Sequence, residues 1–408
     1  MRGLVKIGLA AITCALLTGC GGSRTAPADN WVDLVHPDVL AKANLEYYWR
    51  MDVHLKPGEA IDRLYQLDEK LYCLTTQNRL IATDAARGVP QWSRRVAKPG
   101  RMVFRPAHAD DVFLSEKVSG VAEILAPEKI AGSKSFNVVV INSLSYVLVM
   151  DRADGKVLRK IVFDFAANTG GDCDGVNFCV GATDGTYHAF LLQEAVPTWT
   201  RSTGDILTAP LECFGGRLYV GSTDGAFYAT QTGRKGSLLW NQKTDGPITA
   251  AFCVDRRGAF VPSEDNRLYA YDAISGRLLW DPVVCQGPLR DPVQVGENTV
   301  FQFARRDTFY AIDLATGRVR WKMPAARKVL AVMNGNVYLL DQRRNLLVVD
   351  EMLGEVEMSL PMLGYDRFVS STGAKAIYAA TRGGTVVCIR LRSAGYLTLE
   401  KMAEEDEE

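Results

Sequence analysis

The sequence predicts an all-β protein, an eight-bladed β-propeller of four-stranded antiparallel blades. Two observations predict it: a short motif that recurs roughly every 40 residues, and pairs of alternating apolar runs separated by turn-forming residues between its copies. A third observation, a motif position that is missing at one chain end and supplied at the other, predicts how the ring closes.

The repeated motif is an Asp, a Gly four residues later and a Trp four residues after the Gly. Three complete copies are Asp84, Gly88 and Trp92; Asp272, Gly276 and Trp280; and Asp313, Gly317 and Trp321. Partial copies keep Asp151 and Gly155; Trp199; Gly236 and Trp240; and Asp350 and Gly354, and a last start lies near Arg390. Arg159 and Met358 take the Trp position in two of them. Eight starts predict eight blades.

Alternating apolar runs precede each motif. One example is 267–271, and a turn such as Thr223-Asp224-Gly225 separates two runs. Alternation indicates strands, and Asp and Gly favour tight hairpin turns between them. We interpret the Asp-x-x-x-Gly element as a second hairpin turn, with the Trp on the outermost strand lying across the neighbouring sheet.

The N-terminal strand is predicted to complete the last blade. No Trp follows the start near Arg390 at motif spacing, whereas Trp49 stands in the strand-like segment 46–51 at the other end of the chain. Pairing of this segment with the last blade removes the open sheet edges of an unclosed ring.

The predicted propeller covers residues 31–392. The interval from Asp84 to Asp151 is longer than the others, which indicates an insertion near residues 116–136. Residues 393–408 form an acidic C-terminal tail that ends in five acidic residues, and we interpret it as solvated.

Residues 1–19 are predicted to be a signal peptide. Arg2 and Lys6 precede an apolar run from Ile7 to Leu17 that is too short to cross a bilayer. The run ends in Leu17-Thr18-Gly19-Cys20, which resembles the lipobox of bacterial lipoproteins and implies lipidation at Cys20. Residues 20–30 then form a flexible tether. Gly21 after the cysteine favours the outer membrane, with the propeller in the periplasm or at the cell surface.

The motifs resemble those of the pyrroloquinoline-quinone-like β-propeller family. With the lipobox, tether and closing strand, the chain is most similar to the BamB-like lipoproteins of the outer-membrane β-barrel assembly machinery. That resemblance implies a non-catalytic scaffold that binds a protein partner in the envelope. The family's Leu-x-Leu-Arg partner loop is not found here, and the corresponding stretch is Ser202 to Thr208.

The sequence offers no set of catalytic or metal-binding residues. Seven cysteines remain after Cys14 and Cys20, and three of them, Cys173, Cys213 and Cys253, recur at the repeat spacing. We interpret them as small buried residues, with a Cys173–Cys179 disulfide and metal binding as alternatives. The four His residues do not show ligand spacing, so we expect no metal and no cofactor. No adjacent Cys-Cys pair of a quinone-dependent dehydrogenase is present.

Charge composition argues against nucleic acid as a partner, because 47 Lys and Arg balance 47 Asp and Glu. Two arginine pairs, Arg305-Arg306 and Arg343-Arg344, fall in corresponding turns of adjacent repeats and are candidate partner-binding residues; a solvated rim is the alternative. We therefore predict a membrane-anchored protein-binding scaffold with a monomeric body. The alternatives are a propeller that binds a small molecule or glycan and a quinone-dependent dehydrogenase.

Overall fold

The eight-bladed propeller is confirmed. A computed structural model describes residues 34–114, 122–123, 134–233, 235–306 and 308–395, and these form eight antiparallel sheets and one short helix, α1 (Pro37–Lys42). The signal peptide, the lipidated tether with Cys20 and most of the acidic tail lie outside the described residues.

The strands are grouped below by blade, in chain order. Blades 1 to 3 contain β2 (Ile61–Leu67), β3 (Lys70–Thr75), β4 (Arg79–Asp84) and β5 (Pro90–Arg95); β6 (Ala107–Leu114), β7 (Ala122–Glu123), β8 (Lys134–Asn142), β9 (Tyr146–Asp151) and β10 (Val157–Val162); and β11 (Asp172–Cys173), β12 (Asn177–Gly181), β13 (Thr186–Leu191) and β14 (Val196–Ser202). Blades 4 to 6 contain β15 (Glu212–Phe214), β16 (Arg217–Gly221), β17 (Ala226–Gln231) and β18 (Leu238–Lys243); β19 (Cys253–Asp255), β20 (Gly258–Pro262), β21 (Arg267–Tyr271) and β22 (Val283–Val284); and β23 (Gln294–Val295), β24 (Thr299–Ala304), β25 (Thr308–Asp313) and β26 (Val319–Pro324). Blades 7 and 8 contain β27 (Ala326–Met333), β28 (Asn336–Asp341), β29 (Asn345–Asp350) and β30 (Val356–Pro361); and β31 (Arg367–Phe368), β32 (Ile377–Ala380), β33 (Thr385–Leu391) and β1 (Leu45–Asp52).

The strand order gives the ring two different faces. The first strand of each blade is innermost, and several first strands contact that of the neighbouring blade around the centre, as β6, β11, β15 and β19 do in turn. The Asp-x-x-x-Gly turns join the third and fourth strands on one face, which we call the motif face. The turns between second and third strands, and the connections between blades, lie on the opposite face, which we call the hairpin face. Its turns include residues 76–78, 143–145, 182–185, 222–225, 263–266, 305–306, 342–344 and 381–384.

Five of the motif turns are stabilised by their own Asp and Gly. In blade 6, the Gly317 amide donates to the Asp313 carbonyl at 2.9 Å, and the Asp313 side chain accepts the Thr316 amide at 2.8 Å. The same amide bond joins Gly88, Gly155, Gly276 and Gly354 to the Asp of their own turns. The Asp therefore closes the turn, and the Gly supplies the positive φ that ends it.

Each motif Trp joins its blade to the next one. The indole N–H donates across the joint to a backbone carbonyl of the neighbouring turn, at 2.8 to 3.3 Å, for Trp49, Trp92, Trp199, Trp240, Trp280 and Trp321. The same ring lies against the turn glycine of that next blade, respectively Gly88, Gly155, Gly236, Gly276, Gly317 and Gly354. Six of the eight joints thus share one Trp-on-Gly contact.

Two details differ from the sequence-based expectations. Trp280 occupies its joint but lies just before the short strand β22 rather than within an outermost strand, since Pro282 between them has no N–H for a ladder bond. Blade 2 has five strands rather than four, because β7, from the expected insertion, pairs with β10 at the outer edge. Residues 115–121 and 124–133 of that insertion lie outside the described residues.

The N-terminal strand closes the ring. β1 pairs antiparallel with β33 from Leu45 opposite Leu391 to Asp52 opposite Thr385. The Trp49 indole donates to the Ala85 carbonyl of blade 1 at 2.9 Å, so the strand also supplies the last joint. Among the described residues, no helix is both long enough and apolar enough to cross a membrane.

Candidate functional site

The four candidate arginines lie on the hairpin face. Arg305 and Arg306 are in the turn between β24 and β25 of blade 6, and Arg343 and Arg344 are in the turn between β28 and β29 of blade 7. All four side chains are exposed. Because blades 6 and 7 are neighbours, the two turns lie side by side on one sector of the ring.

Two of these arginines have an acidic partner. Arg305 lies 3.6 Å from a carboxylate oxygen of Asp291, and Arg344 lies 3.4 Å from one of Asp366. Both guanidinium groups remain at least half exposed, so the pairs add little to stability. Their remaining N–H groups stay available to a partner.

Arg306 and Arg343 make no side-chain hydrogen bond or ion pair to any of the described residues. The same is true of Arg382, which sequence reasoning missed. Arg382 occupies the corresponding turn of blade 8, between β32 and β33, and its amide donates to Asp366 at 3.1 Å. Comparison of the second-to-third-strand turns across repeats would have found it, but the motif of that repeat is too degenerate to draw attention to it.

An exposed leucine lies beside these arginines. Leu363, in the connection from blade 7 to blade 8, has 67% of its surface exposed. The adjacent Met362 amide donates to the Arg344 carbonyl at 2.8 Å, which attaches this connection to the arginine turn. We define the arginine half of the hairpin face as Arg305, Arg306, Arg343, Arg344 and Arg382 with Leu363.

A second sector of the hairpin face, in blades 3 to 5, carries mostly acidic side chains, although Arg267 and Arg290 pair with two of them. The turns of blades 3 to 5 and the connections between them carry Asp184, Asp205, Asp224, Asp245, Glu264 and Asp265, which we define as the acidic half. Hydrogen bonds from Thr186 lower the pKa of Asp184, and bonds to Arg290 and Thr249 outweigh burial and lower that of Glu264. The balanced composition of the chain therefore conceals a face that is divided by charge.

The innermost strands of several blades carry buried ionisable groups. Asp172 of β11 accepts the Cys213 amide of the next blade at 2.7 Å, and burial raises the pKa of Asp172. Burial, with the charge of Asp172, raises the pKa of Glu212 on β15 to about 8. On the opposite side of the ring, burial lowers the pKa of Lys328 to about 8, and its ammonium group donates to the Phe368 carbonyl at 2.8 Å. These groups link neighbouring blades around the centre.

The cysteines of the described residues are free thiols, so the alternative of a Cys173–Cys179 disulfide is wrong. Cys173, Cys213 and Cys253 lie on the innermost strands of blades 3, 4 and 5. Burial raises the pKa of Cys173 well above its usual value, which keeps the thiol protonated, and its Sγ lies 3.2 Å from the His108 carbonyl. Cys173 packs as a small buried side chain, as expected, whereas Cys213 and Cys253 are only partly buried.

One group of potential metal ligands lies between blades 1 and 2. Asp68, Glu69 and His108 have ligand atoms within 4.8 Å of one another. The Arg152 guanidinium lies among them, 3.3 Å from both Asp68 and Glu69, and Tyr72 bonds the other nitrogen of His108 at 2.8 Å. The Arg152 guanidinium thus already lies between these carboxylates, and the cluster forms an ionic contact between blades 1 and 2.

A cavity of about 290 Å³ lies where blades 7 and 8 meet, at one of the two joints that lack a Trp. Met358 takes the Trp position there. The floor includes Tyr338 and Val348, and the rim carries Lys42 and Glu357. The polar residues lie at its rim rather than converging on its floor.

Comparison with known families identifies the repeats. The sequence profile described as "Outer membrane protein assembly factor BamB" matches residues 185–289 and 284–401, which together exceed half of the chain. The chain belongs to the BamB family. The matched residues run from the third strand of blade 3 to blade 8 and include both halves of the hairpin face except Asp184.

Solved structures share the fold at low sequence identity. BamB from Moraxella catarrhalis is 12% identical with a TM-score of 0.62, and the match covers 86% of this chain and 99% of that one. The computationally designed Ika8 protein is 15% identical with a TM-score of 0.59, and the match covers 81% of this chain and 96% of that one. No curated protein sequence matches this chain.

The connection from blade 3 to blade 4 lies in the acidic half. Ser202 to Thr208 connects blade 3 to blade 4, and Ile206 within it is 43% exposed. Asp205 caps this stretch by accepting the Ile206 amide at 2.8 Å. The connection presents one apolar side chain and one carboxylate, with no arginine between Ser202 and Thr208.

Proposed function

We propose that this chain is a non-catalytic, protein-binding scaffold of the bacterial envelope that takes part in outer-membrane protein assembly. The observation that carries the proposal is the hairpin face. Several of its turns are held by backbone hydrogen bonds to neighbouring blades. They present exposed apolar side chains and guanidinium groups that make no side-chain bond to the described residues. Rigid turns with unpaired arginines are typical of interfaces, since little order is lost on binding.

Membership of the BamB family supports the place of action. The family's name refers to assembly of outer-membrane proteins, and the N-terminal sequence carries the features of a lipoprotein. We infer that lipid on Cys20 anchors the chain in the outer membrane, with the tether of residues 20–30 holding the propeller in the periplasm. The propeller then offers its hairpin face to a membrane-bound partner.

The non-catalytic part of the proposal is supported by the state of the ionisable groups near the centre. Asp172 and Lys328 are engaged with backbone groups of neighbouring blades, and the Cys173 thiol stays protonated. A direct test is a dye-linked dehydrogenase assay with added pyrroloquinoline quinone and Ca²⁺ over a panel of alcohols and sugars. We expect no turnover, and quinone-dependent activity would contradict the proposal.

The scaffold role is tested by affinity capture from envelope extracts with the tagged full chain, followed by identification of the proteins retained. The matched control is Cys20→Ser, which removes the lipid site without changing the propeller. We expect a component of the outer-membrane assembly machinery with both chains, and membrane association of the wild type alone. Capture of no protein partner, together with a tightly bound small ligand, would contradict the scaffold role.

A further inference from the structure

We propose that the arginine half of the hairpin face binds an acidic protein segment that also carries large apolar side chains. This inference rests on the proposed function and specifies the chemistry of the partner segment and where it docks. It concerns the turns of blades 6 to 8.

The first observation is that several arginine N–H donors are available for binding. Arg306, Arg343 and Arg382 are exposed and make no side-chain bond to the described residues, and Arg305 and Arg344 have exposed pairs at 3.6 and 3.4 Å. A guanidinium group offers five N–H donors in a planar fork that matches a carboxylate. Five such groups on three adjacent turns can therefore bind several carboxylates at once.

The second step is the rigidity of these turns. The Asp341 carboxylate accepts the amides of Arg343 and Asn345, each at 2.7 Å, and holds the blade 7 turn in place. The Arg382 carbonyl accepts the Ile61 amide at 3.1 Å, which attaches the blade 8 turn to blade 1. The backbones of these two turns are thus ordered before a ligand arrives, so binding there orders only the side chains.

The third step is Leu363. It lies exposed between the turns of blades 7 and 8, while Met362 and Tyr365 on either side of it are fully buried. The buried neighbours anchor the connection and force Leu363 outward. An apolar contact at the centre of a basic sector suits a peptide with both apolar and acidic side chains better than a purely polyanionic ligand.

The uneven distribution of charge on the hairpin face favours the binding of a short protein segment over that of an extended anion. Nucleic acid or an anionic membrane surface that covered the hairpin face would also meet Asp184, Asp205 and Asp224 of the acidic half. The repulsion there opposes the attraction at the arginine half. A short acidic segment restricted to blades 6 to 8 avoids this conflict.

The test uses the full chain and three fluorescein-labelled eight-residue probes: alternating glutamate and leucine, alternating lysine and leucine, and alternating glutamate and serine. Binding is followed by fluorescence anisotropy at low and physiological salt. We expect the glutamate–leucine peptide to bind, salt to weaken it, the glutamate–serine peptide to bind several-fold more weakly and the lysine–leucine peptide not to bind.

Charge reversal locates the site. The triple variant Arg306→Glu, Arg343→Glu, Arg382→Glu is expected to weaken the glutamate–leucine peptide at least tenfold. The matched control reverses three exposed arginines at the turns of the motif face, Arg87→Glu, Arg277→Glu and Arg318→Glu, with the same change in net charge. We expect it to weaken binding less than threefold. Leu363→Ser is expected to remove the preference for leucine over serine in the probe.

Four results would overturn the proposal. They are equal binding by the wild type and the first triple variant, equal loss in both triple variants, no binding of the glutamate–leucine peptide, and tighter binding of duplex DNA or phosphatidylglycerol vesicles. Affinity capture separates these failures from failure of the scaffold role. If the first triple variant still retains the identified envelope partner, the arginine half is not its site and the scaffold role stands.

Discussion

The indole of Trp321 lies so close to Gly354 that a Cβ on this glycine would come within 2.4 Å of the ring. Gly354 belongs to the next blade and has a φ of +72°, and the Trp321 N–H donates to the Glu351 carbonyl of the same turn at 2.8 Å. The Trp and the Gly of the motif are therefore partners across a joint, although each belongs to a different repeat.

Gly354→Ala should destabilise the propeller by about 2–4 kcal/mol. The new methyl group overlaps the Trp321 ring, and the positive φ adds strain of about 1 kcal/mol. Urea unfolding followed by tryptophan fluorescence measures the loss.

Gly335→Ala separates these two causes. Gly335 has a φ of +78°, but nothing lies within 4 Å of its Cβ direction, so only the backbone strain of about 1 kcal/mol is expected. Equal losses in the two variants would mean that the ring contact does not hold the joint.

Trp49→Ala should open the closure between blades 8 and 1, at a cost of about 3–5 kcal/mol. The substitution removes the bond to the Ala85 carbonyl and the ring contacts with Gly88 and Tyr378. The hydrogen-exchange rates of backbone amides should increase most in β33, which pairs with β1. Glu46→Ala, exposed on the same strand, should change stability by less than about 0.5 kcal/mol. Unchanged protection of β33 in Trp49→Ala would contradict this closure.

Glu59→Gln should cost about 2 kcal/mol at neutral pH, because it weakens a buried ion pair with Arg79 at 2.7 Å. Burial acts to raise the pKa of Glu59, but hydrogen bonds from Arg79, Lys56 and Thr75 outweigh it and lower the pKa to about 2. A lowered pKa contributes stability above about 4.5 that is lost as pH falls towards 2. The wild type should therefore lose its advantage over Glu59→Gln in acid unfolding between these values, and a constant difference across that range would refute the assignment.

Glu212→Gln should reduce the pH dependence of stability near neutrality. Burial raises the pKa of Glu212 to about 8 from 4.5, so the stability that its protonated form contributes is complete below about 4.5 and is lost as pH rises through 8. Between pH 5 and 8 the wild type should lose at least about 1 kcal/mol more than the variant in urea unfolding. Parallel curves for the two proteins would show that Glu212 is charged in the folded state.

The repeat spacing was sufficient to predict the ring, its closure and the joints between blades, because these features require particular residue types at fixed positions. Gly354 must lack a Cβ so that the Trp321 ring can cover it, and both residues therefore recur in the sequence motif. The interruption at Trp280 and the pairing of β7 with β10 depend on local ladder bonds that no motif records.

The candidate site was only partly predictable. Adjacent pairs made Arg305-Arg306 and Arg343-Arg344 conspicuous, whereas Arg382 is single and Leu363 is an ordinary leucine in sequence. Their proximity arises from turns of different repeats that meet on one face. The acidic half is also hidden in the sequence, because a turn such as Thr223-Asp224-Gly225 indicates a hairpin and not a charged surface.

Site-specific photocrosslinking in intact cells tests the central claim most directly. A photoreactive amino acid is placed at Arg343 or Ile206 on the hairpin face, and at Ile274, which is 68% exposed in the blade 5 turn of the motif face. The account predicts crosslinks to an identified protein of the outer-membrane assembly machinery from the hairpin face and none from Ile274. Crosslinks to such a protein from Ile274 alone, or from none of the three positions, would contradict it.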